Sequence, residues 1–215
     1  MENNFIYLDN ASTTPLSENV LNIINSTYRN YWHNPSSTYE LGIKCSTYLE
    51  KIRSKIAYIF EADPEDIIFT SGSSESTNIV FNNIYEKFKN GRVVISNVEH
   101  QATTICANKL RKQNWDIYEW KVNNDGILNI SNIEKFLNND TKLVSIIWGQ
   151  SEIGTIQPVQ FIGSKCEELN IMFHLDGTQI LSNGIFSWKD LKCDFLSLSA
   201  HKFGGPKGIG ILLTK

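Results

Sequence analysis

Apolar residues at Leu41, Cys45, Tyr48, Leu49, Ile52, Ile56 and Phe60 recur every three or four positions, the spacing of a helix that buries one face. Asp63-Pro64 stops that pattern, and Ile67-Ile68-Phe69-Thr70 predicts a short buried strand. A small, hydroxyl-rich stretch, Ser71-Gly72-Ser73-Ser74-Glu75-Ser76, then leads into helical spacing through Ile79, Val80 and Ile84. The alternation continues, with strands expected at 93–96, 117–120, 143–147, 171–175, 195–198 and 209–213 and helices at 101–112 and 159–169. Asn123-Asn124-Asp125-Gly126 has the composition of a turn, and Ser131 followed by Glu134 predicts a capping box on a short helix. Strands alternating with helices in this way give an α/β fold, a three-layer sandwich around a mostly parallel sheet. The last strand runs almost to Lys215 with no closing helix. A sheet of this size usually has both faces covered, so the sandwich is expected to be truncated at its C-terminus.

Composition narrows the partners. The 215 residues suffice for one sizeable core, and no internal repeat or linker divides them. A 41% hydrophobic and 20% charged chain argues against disorder. Lys+Arg 20 against Asp+Glu 23 gives a net charge of −3 without a basic block, which argues against nucleic acid. No apolar run is long enough for a bilayer, and Met1-Glu2-Asn3-Asn4 carries no signal-type opening. A cytoplasmic protein without a membrane partner is expected. Cys45, Cys106, Cys166 and Cys193 form no C-x-x-C pair and have no His at finger spacing, so no metal site is expected. They read as reduced thiols that fill the core as small hydrophobes.

Open α/β sheets bind ligands at the carboxyl ends of their strands. Ser71–Ser76 lies there, at a helix N-terminus, where free N–H groups and hydroxyls suit a phosphate or simply cap the helix. Glu99-His100 follows the second strand; Gln150, Ser151 and Glu152 follow the fourth. Asp176, with Gln179 three residues on, ends an apolar strand, where a carboxylate needs a cationic partner. Lys202 lies between an apolar strand and the Gly-rich 204–208 turn, as a surface lysine or as a desolvated Schiff-base amine. Each signal is weak alone; together they suit a phosphorylated aromatic cofactor.

These segments resemble the cysteine desulfurases, in the class V aminotransferase group of fold-type I pyridoxal-phosphate enzymes. The resemblance is carried by Tyr7 to Pro15 (YLDNASTTP), Asn34-Pro35-Ser36-Ser37, Phe69 to Asn78 (FTSGSSESTN) and Glu99-His100. It continues through Glu152-Ile153-Gly154, Asp176-Gly177-Thr178-Gln179, Ser199-Ala200-His201-Lys202 and Gly205-Pro206-Lys207-Gly208, and so covers essentially the whole chain in order.

The resemblance implies a pyridoxal 5'-phosphate cofactor and the large, cofactor-binding domain of such enzymes. Residues 1–215 would form that domain, incomplete, with the first 15 or so as an N-terminal arm and the C-terminal small domain absent. Lys202 would hold the cofactor covalently and then shuttle a proton, and Asp176 would pair with the pyridine nitrogen. Gln179 would bond the phenolic oxygen, His100 would stack on the ring as a second catalytic residue, and Ser73, Ser74, Ser199 and His201 would bind the phosphate. Where the family usually carries Asn-Asn before Glu-Ile-Gly, this chain has Gln150 and Ser151, so Ser151 offers a hydroxyl in place of an amide. The implied activity converts L-cysteine to L-alanine and passes sulfur as a persulfide, as in sulfur metabolism and iron–sulfur cluster assembly. The implied partners are a second copy or a second-half chain and a sulfur acceptor protein. The family is about twice this length. The substrate-carboxylate Arg and the mobile-loop cysteine have no match here, so the chain alone is not expected to transfer sulfur. A selenocysteine lyase, a related lyase or a non-catalytic cofactor-binding or dimerisation module shares the same residues.

Overall fold

Every one of the expected strands forms, and all seven join one sheet. They are β1 (Ile67–Thr70), β2 (Arg92–Ser96), β3 (Asp116–Trp120), β4 (Thr141–Ile147), β5 (Met172–Asp176), β6 (Phe195–Ser199) and β7 (Gly210–Thr214), in the order β1-β7-β6-β5-β4-β2-β3. The structure is a computed structural model and describes residues 6–215, apart from the side chain of Asn132. The opening Met1 to Asn4, with the start of the expected arm, lies outside the described residues. Strands β2 to β6 pair in parallel, whereas β7 is antiparallel to both β1 and β6. Two reversals cancel, so β1 points the same way as β2–β6. Six strands therefore end on one edge, and β7 begins there.

The helices are α1 (Glu18–Asn30), α2 (Glu40–Phe60), α3 (Ser73–Lys87), α4 (Gln101–Arg111) and α5 (Val159–Glu168). Successive strand residues point to opposite faces, and the core divides accordingly. Val93, Ile95, Leu143 and Leu212 meet Val80, Phe81 and Ile84 of α3 and Cys106 and Leu110 of α4. Val94, Val144, Ile146, Phe173 and Leu175 belong to the other cluster, with Ala57 and Phe60 of α2 and Ile162 and Cys166 of α5. Helices on both faces make the three layers. Among the described residues no helix is long and apolar enough to cross a membrane.

Three local readings need correction. The stripe on α2 is only partly buried: Cys45 and Phe60 are covered, but Leu41 and Leu49 remain 43% and 38% exposed. Periodicity marks a face that favours cover and does not supply the cover. A further helix, α1, was not among those expected; it has no buried residue and is capped by Ser17 Oγ accepting from the Val20 N–H. Residues Ile130–Lys135 form a 3-10 helix rather than a helix capped by Ser131. Asn129 holds the capping position, and its side chain accepts from the Ser131 N–H at 3.1 Å. Ser131 therefore lies inside the turn, where it cannot cap it.

Candidate active site

A polar cavity of about 520 Å³ opens at the edge where the six strands end. All nine residues singled out from the sequence reach it or sit on its wall: Ser73, Ser74, His100, Ser151, Asp176, Gln179, Ser199, His201 and Lys202 all line it. They come from five connections, at the ends of β1, β2, β4, β5 and β6. The convergence follows from the common strand direction.

The serine-lined corner of the cavity depends on β7. Gly210 opens that strand as register partner of both Thr70 and Ser199. A Cβ on Gly210 would come within 2.5 Å of Gly72 Cα, so only glycine lets the loop after β1 cross the start of β7. Gly72 itself has φ +152 and serves as N-cap of α3 without a side-chain bond. The crossing brings Ser73 against Ser199: the Ser73 N–H donates to Ser199 Oγ at 2.8 Å, and the two hydroxyls lie 3.1 Å apart. The first N–H groups of a helix have no partner within it. Here Gly72 offers no side-chain cap, Ser199 Oγ takes the Ser73 N–H, and Ser73, Ser74 and Glu75 of this first turn line the cavity. That donor set suits a phosphate. Glu75 turns back to accept from the Ser71 N–H at 2.6 Å, a bond that lowers its pKa.

Asp176 is buried at the last position of β5. Its Oδ1 accepts from the Thr178 N–H at 3.0 Å and from the Thr178 hydroxyl, which fixes the carboxylate plane. Gln179 donates Nε2 to Ala11 O at 2.7 Å. His100 is the N-cap of α4, and its Nδ1 accepts from the Ala102 N–H at 3.2 Å. That bond assigns the hydrogen of a neutral ring to Nε2. Ser151 lies on the wall, while Gln150 folds back to accept from the Glu152 and Ile153 N–H groups.

Lys202 closes a 3-10 turn, Ala200–Lys202, and its Nζ donates to Ala11 O at 2.7 Å and Ser12 O at 3.0 Å. Burial lowers its pKa, opposed by the Asp176 and Asp9 carboxylates. His201 is lowered too, by burial and then by the Lys202 and Lys207 charges. Its Nδ1 meets Thr13 Oγ1 at 3.1 Å, and Thr14 anchors its carbonyl.

Three features of this wall were given no role by the strand-end pattern: the chain between Ala11 and Thr14 closes one side of the cavity, Thr178 holds Asp176, and Lys207 lines the rim. Behind the wall, Glu99, noted only as the neighbour of His100, braces the loop. The Ser12-Thr13-Thr14 run and the Lys207 turn stood inside segments already noted in the sequence. The Glu99 contact joins residues 48 positions apart and left no local signal.

The family model for aminotransferase class-V matches residues 6–215. The chain belongs to the class-V aminotransferase family. Within it, the chain is 34% identical over 214 residues to the mitochondrial cysteine desulfurase of Eremothecium gossypii, covering 98% of this chain and 44% of that protein. It is 36% identical over 212 residues to the cysteine desulfurase IscS of Dictyoglomus turgidum, covering 98% of this chain and 54% of that protein. A solved NifS-like protein superposes with a TM-score of 0.94 at 33% identity, covering 98% of this chain and 59% of that one. A structure described as SspA in complex with cysteine superposes with a TM-score of 0.91 at 30% identity, covering 98% and 61%. The chain spans about half the length of the curated relatives it matches.

Proposed function

We propose that this chain holds pyridoxal 5'-phosphate in the strand-end cavity and forms the cofactor-holding part of an L-cysteine desulfurase. The overall change would turn L-cysteine and an acceptor thiol into L-alanine and a persulfide. One observation carries the reading: a helix N-terminus with serine hydroxyls, a fixed buried carboxylate and a partly buried lysine line the same cavity. The family's use of pyridoxal phosphate and the cysteine named in one solved relative support it.

The donor set fits the group. The α3 N-terminus with Ser73, Ser74, Ser199 and His201 would hold the phosphate. Asp176 would face the ring nitrogen, Gln179 the phenolic oxygen, His100 the ring face, and Ser151 would offer one hydroxyl. When bound, pyridoxal phosphate supplies a sink for electrons from the substrate's α-carbon. Asp176, held by Thr178, would favour a protonated ring nitrogen by placing a negative charge beside it. The lowered pKa of Lys202 raises the fraction of free amine, as covalent attachment and proton transfer at the α-carbon both require. Ala11 O accepts from both Lys202 and Gln179, the two side chains that would turn to the group.

We place the sulfur-accepting thiol outside these residues. All four cysteines are buried, and burial raises the thiols of Cys106, Cys166 and Cys193, the last to about 12. A thiolate, not a thiol, takes the sulfur. That thiol, the substrate-carboxylate clamp and the small domain would then belong to a further segment or a second chain. Residues 1–215 would form the large domain with an N-terminal arm, and the exposed apolar side chains of α1 and α2 would meet a partner, a second copy in the simplest case.

Titration of the chain with pyridoxal phosphate, followed by absorption, tests the reading. A saturable long-wavelength band is expected, lost in Lys202→Ala and retained but altered in Asp176→Ala. No saturable band, or one indifferent to Lys202→Ala, would overturn it.

A further inference from the structure

Glu99 precedes His100 in the connection between β2 and α4, and it does not line the cavity. Its Oε1 accepts two hydrogen bonds, from Ser96 Oγ at 2.5 Å and from the Ile147 N–H at 2.7 Å. Its Oε2 is buried and has no hydrogen-bond partner. Ile147, in turn, is the register partner of Asp176 across β4 and β5. The carboxyl thus ties the end of β2 to the end of β4, beside the strand that presents Asp176.

The two oxygens differ in a way that fits one protonation state. A carboxylate would leave a charged oxygen enclosed without a donor and would add a second negative charge near Asp176. A carboxylic acid keeps Oε1 as a carbonyl-type acceptor for both donors and carries no charge. We propose that Glu99 is a positioning residue of this site, a neutral carboxylic acid that pins the 97–100 loop to the end of β4. It thereby holds His100 at the cavity wall without setting a second anion beside Asp176. Burial raises its pKa to about 8, with the Asp176 charge adding to the effect and the bonds from Ser96 and Ile147 opposing it. The donors on β2 and β4 are uncharged. Asp176 on β5 is the titratable group whose charge reaches it, and His100 adjoins it in the chain.

The claim about His100 and the cofactor rests on the function proposed above, whereas the protonation of Glu99 does not. The test therefore has two arms, both on the full chain. In the first, the cofactor-free protein carries carboxyl-labelled glutamate and is titrated by carbon NMR. One signal should titrate near pH 8, and Glu99→Gln should remove it. Glutamates that all titrate below about pH 6, in the ordinary carboxyl range, would overturn the proposal.

In the second arm, the absorption and affinity of bound pyridoxal phosphate are followed against pH. The native chain should show a transition near pH 8. Glu99→Gln, whose amide oxygen can accept both donors, should abolish that transition and keep the affinity. Glu99→Ala, which frees the loop, should weaken binding about tenfold, the scale of one lost hydrogen bond. Equal affinity and an unchanged pH profile in all three proteins would overturn the positioning role. Failure of every protein to bind would refute the proposed function, while the first arm still decides the state of Glu99.

Discussion

The α3 side of the strand ends and the α1–α2 side of the molecule treat their side chains in opposite ways. Along α3, Ser76, Thr77, Val80, Phe81 and Ile84 are all buried, and the sheet beneath carries polar groups in the core. Ser145 Oγ, both ring nitrogens of His174 and Ser197 Oγ form a buried chain with 2.8 Å contacts. Along α1 nothing is buried, and Leu21, Ile23, Leu41, Ile43 and Ile59 of α1 and α2 remain exposed. Burying polar groups is costly unless partners are in place, and in this row the Ser145, His174 and Ser197 side chains supply one another's partners. Exposed apolar side chains in such number mark a surface that favours a partner.

The largest contrast should appear in stability. Ile84→Ala, a fully buried α3 position, should destabilise the chain by about 2–5 kcal/mol, whereas Leu49→Ala should stay within about 0.5 kcal/mol. Denaturant melts of both variants measure this, and equal losses would erase the distinction between the two sides. A pH effect comes next. Burial pushes the His174 pKa down to about 3 from an ordinary value of 6.5, so the folded state excludes a proton that the unfolded chain binds. Stability from this group is complete above about pH 6.5 and is lost as pH falls toward about 3. His174→Gln should flatten that acid slope in melts taken across the range.

A smaller effect concerns association. Light scattering at several concentrations should show self-association of the native chain, reduced by Leu41→Glu with Leu49→Glu while the melting transition is kept. A monodisperse native monomer would break the claim that this surface favours a partner. Thiol reactivity should change least: at neutral pH the folded chain should react slowly with a disulfide reagent, and all four cysteines should react after unfolding. Rapid labelling of one cysteine in the folded chain would reopen the question of the sulfur acceptor.

The same contrast explains what could be read without coordinates. The strands were legible because Val, Ile, Leu and Phe runs are bounded by Asn, Gly, Pro or charged residues, and boundaries shifted by only a residue or two. Asp176, for example, is the last residue of β5 rather than the first after it. The α1 helix is not among the elements expected above, although Val20, Leu21, Ile23, Ile24 and Tyr28 recur at helical spacing; its apolar face buries nothing among the described residues. Lys202, Asp176 and His100 stood out as polar groups directly after apolar runs. Glu99 stood beside His100 in the same connection, but its role was not legible, because that role lies in the Ile147 N–H, reached only through the β2–β4 pairing. The antiparallel direction of β7 was equally silent, yet it sets Gly210 under Gly72 and Ser73 beside Ser199.

The function proposed above makes Lys202 the attachment point of the cofactor in the strand-end cavity. The most direct measurement incubates the chain with pyridoxal phosphate, reduces it with borohydride and maps the modified peptide. The account predicts one cofactor-derived adduct, on Lys202, absent from Lys202→Ala. An adduct on another lysine that persists in Lys202→Ala, or no adduct at saturating cofactor, would contradict it.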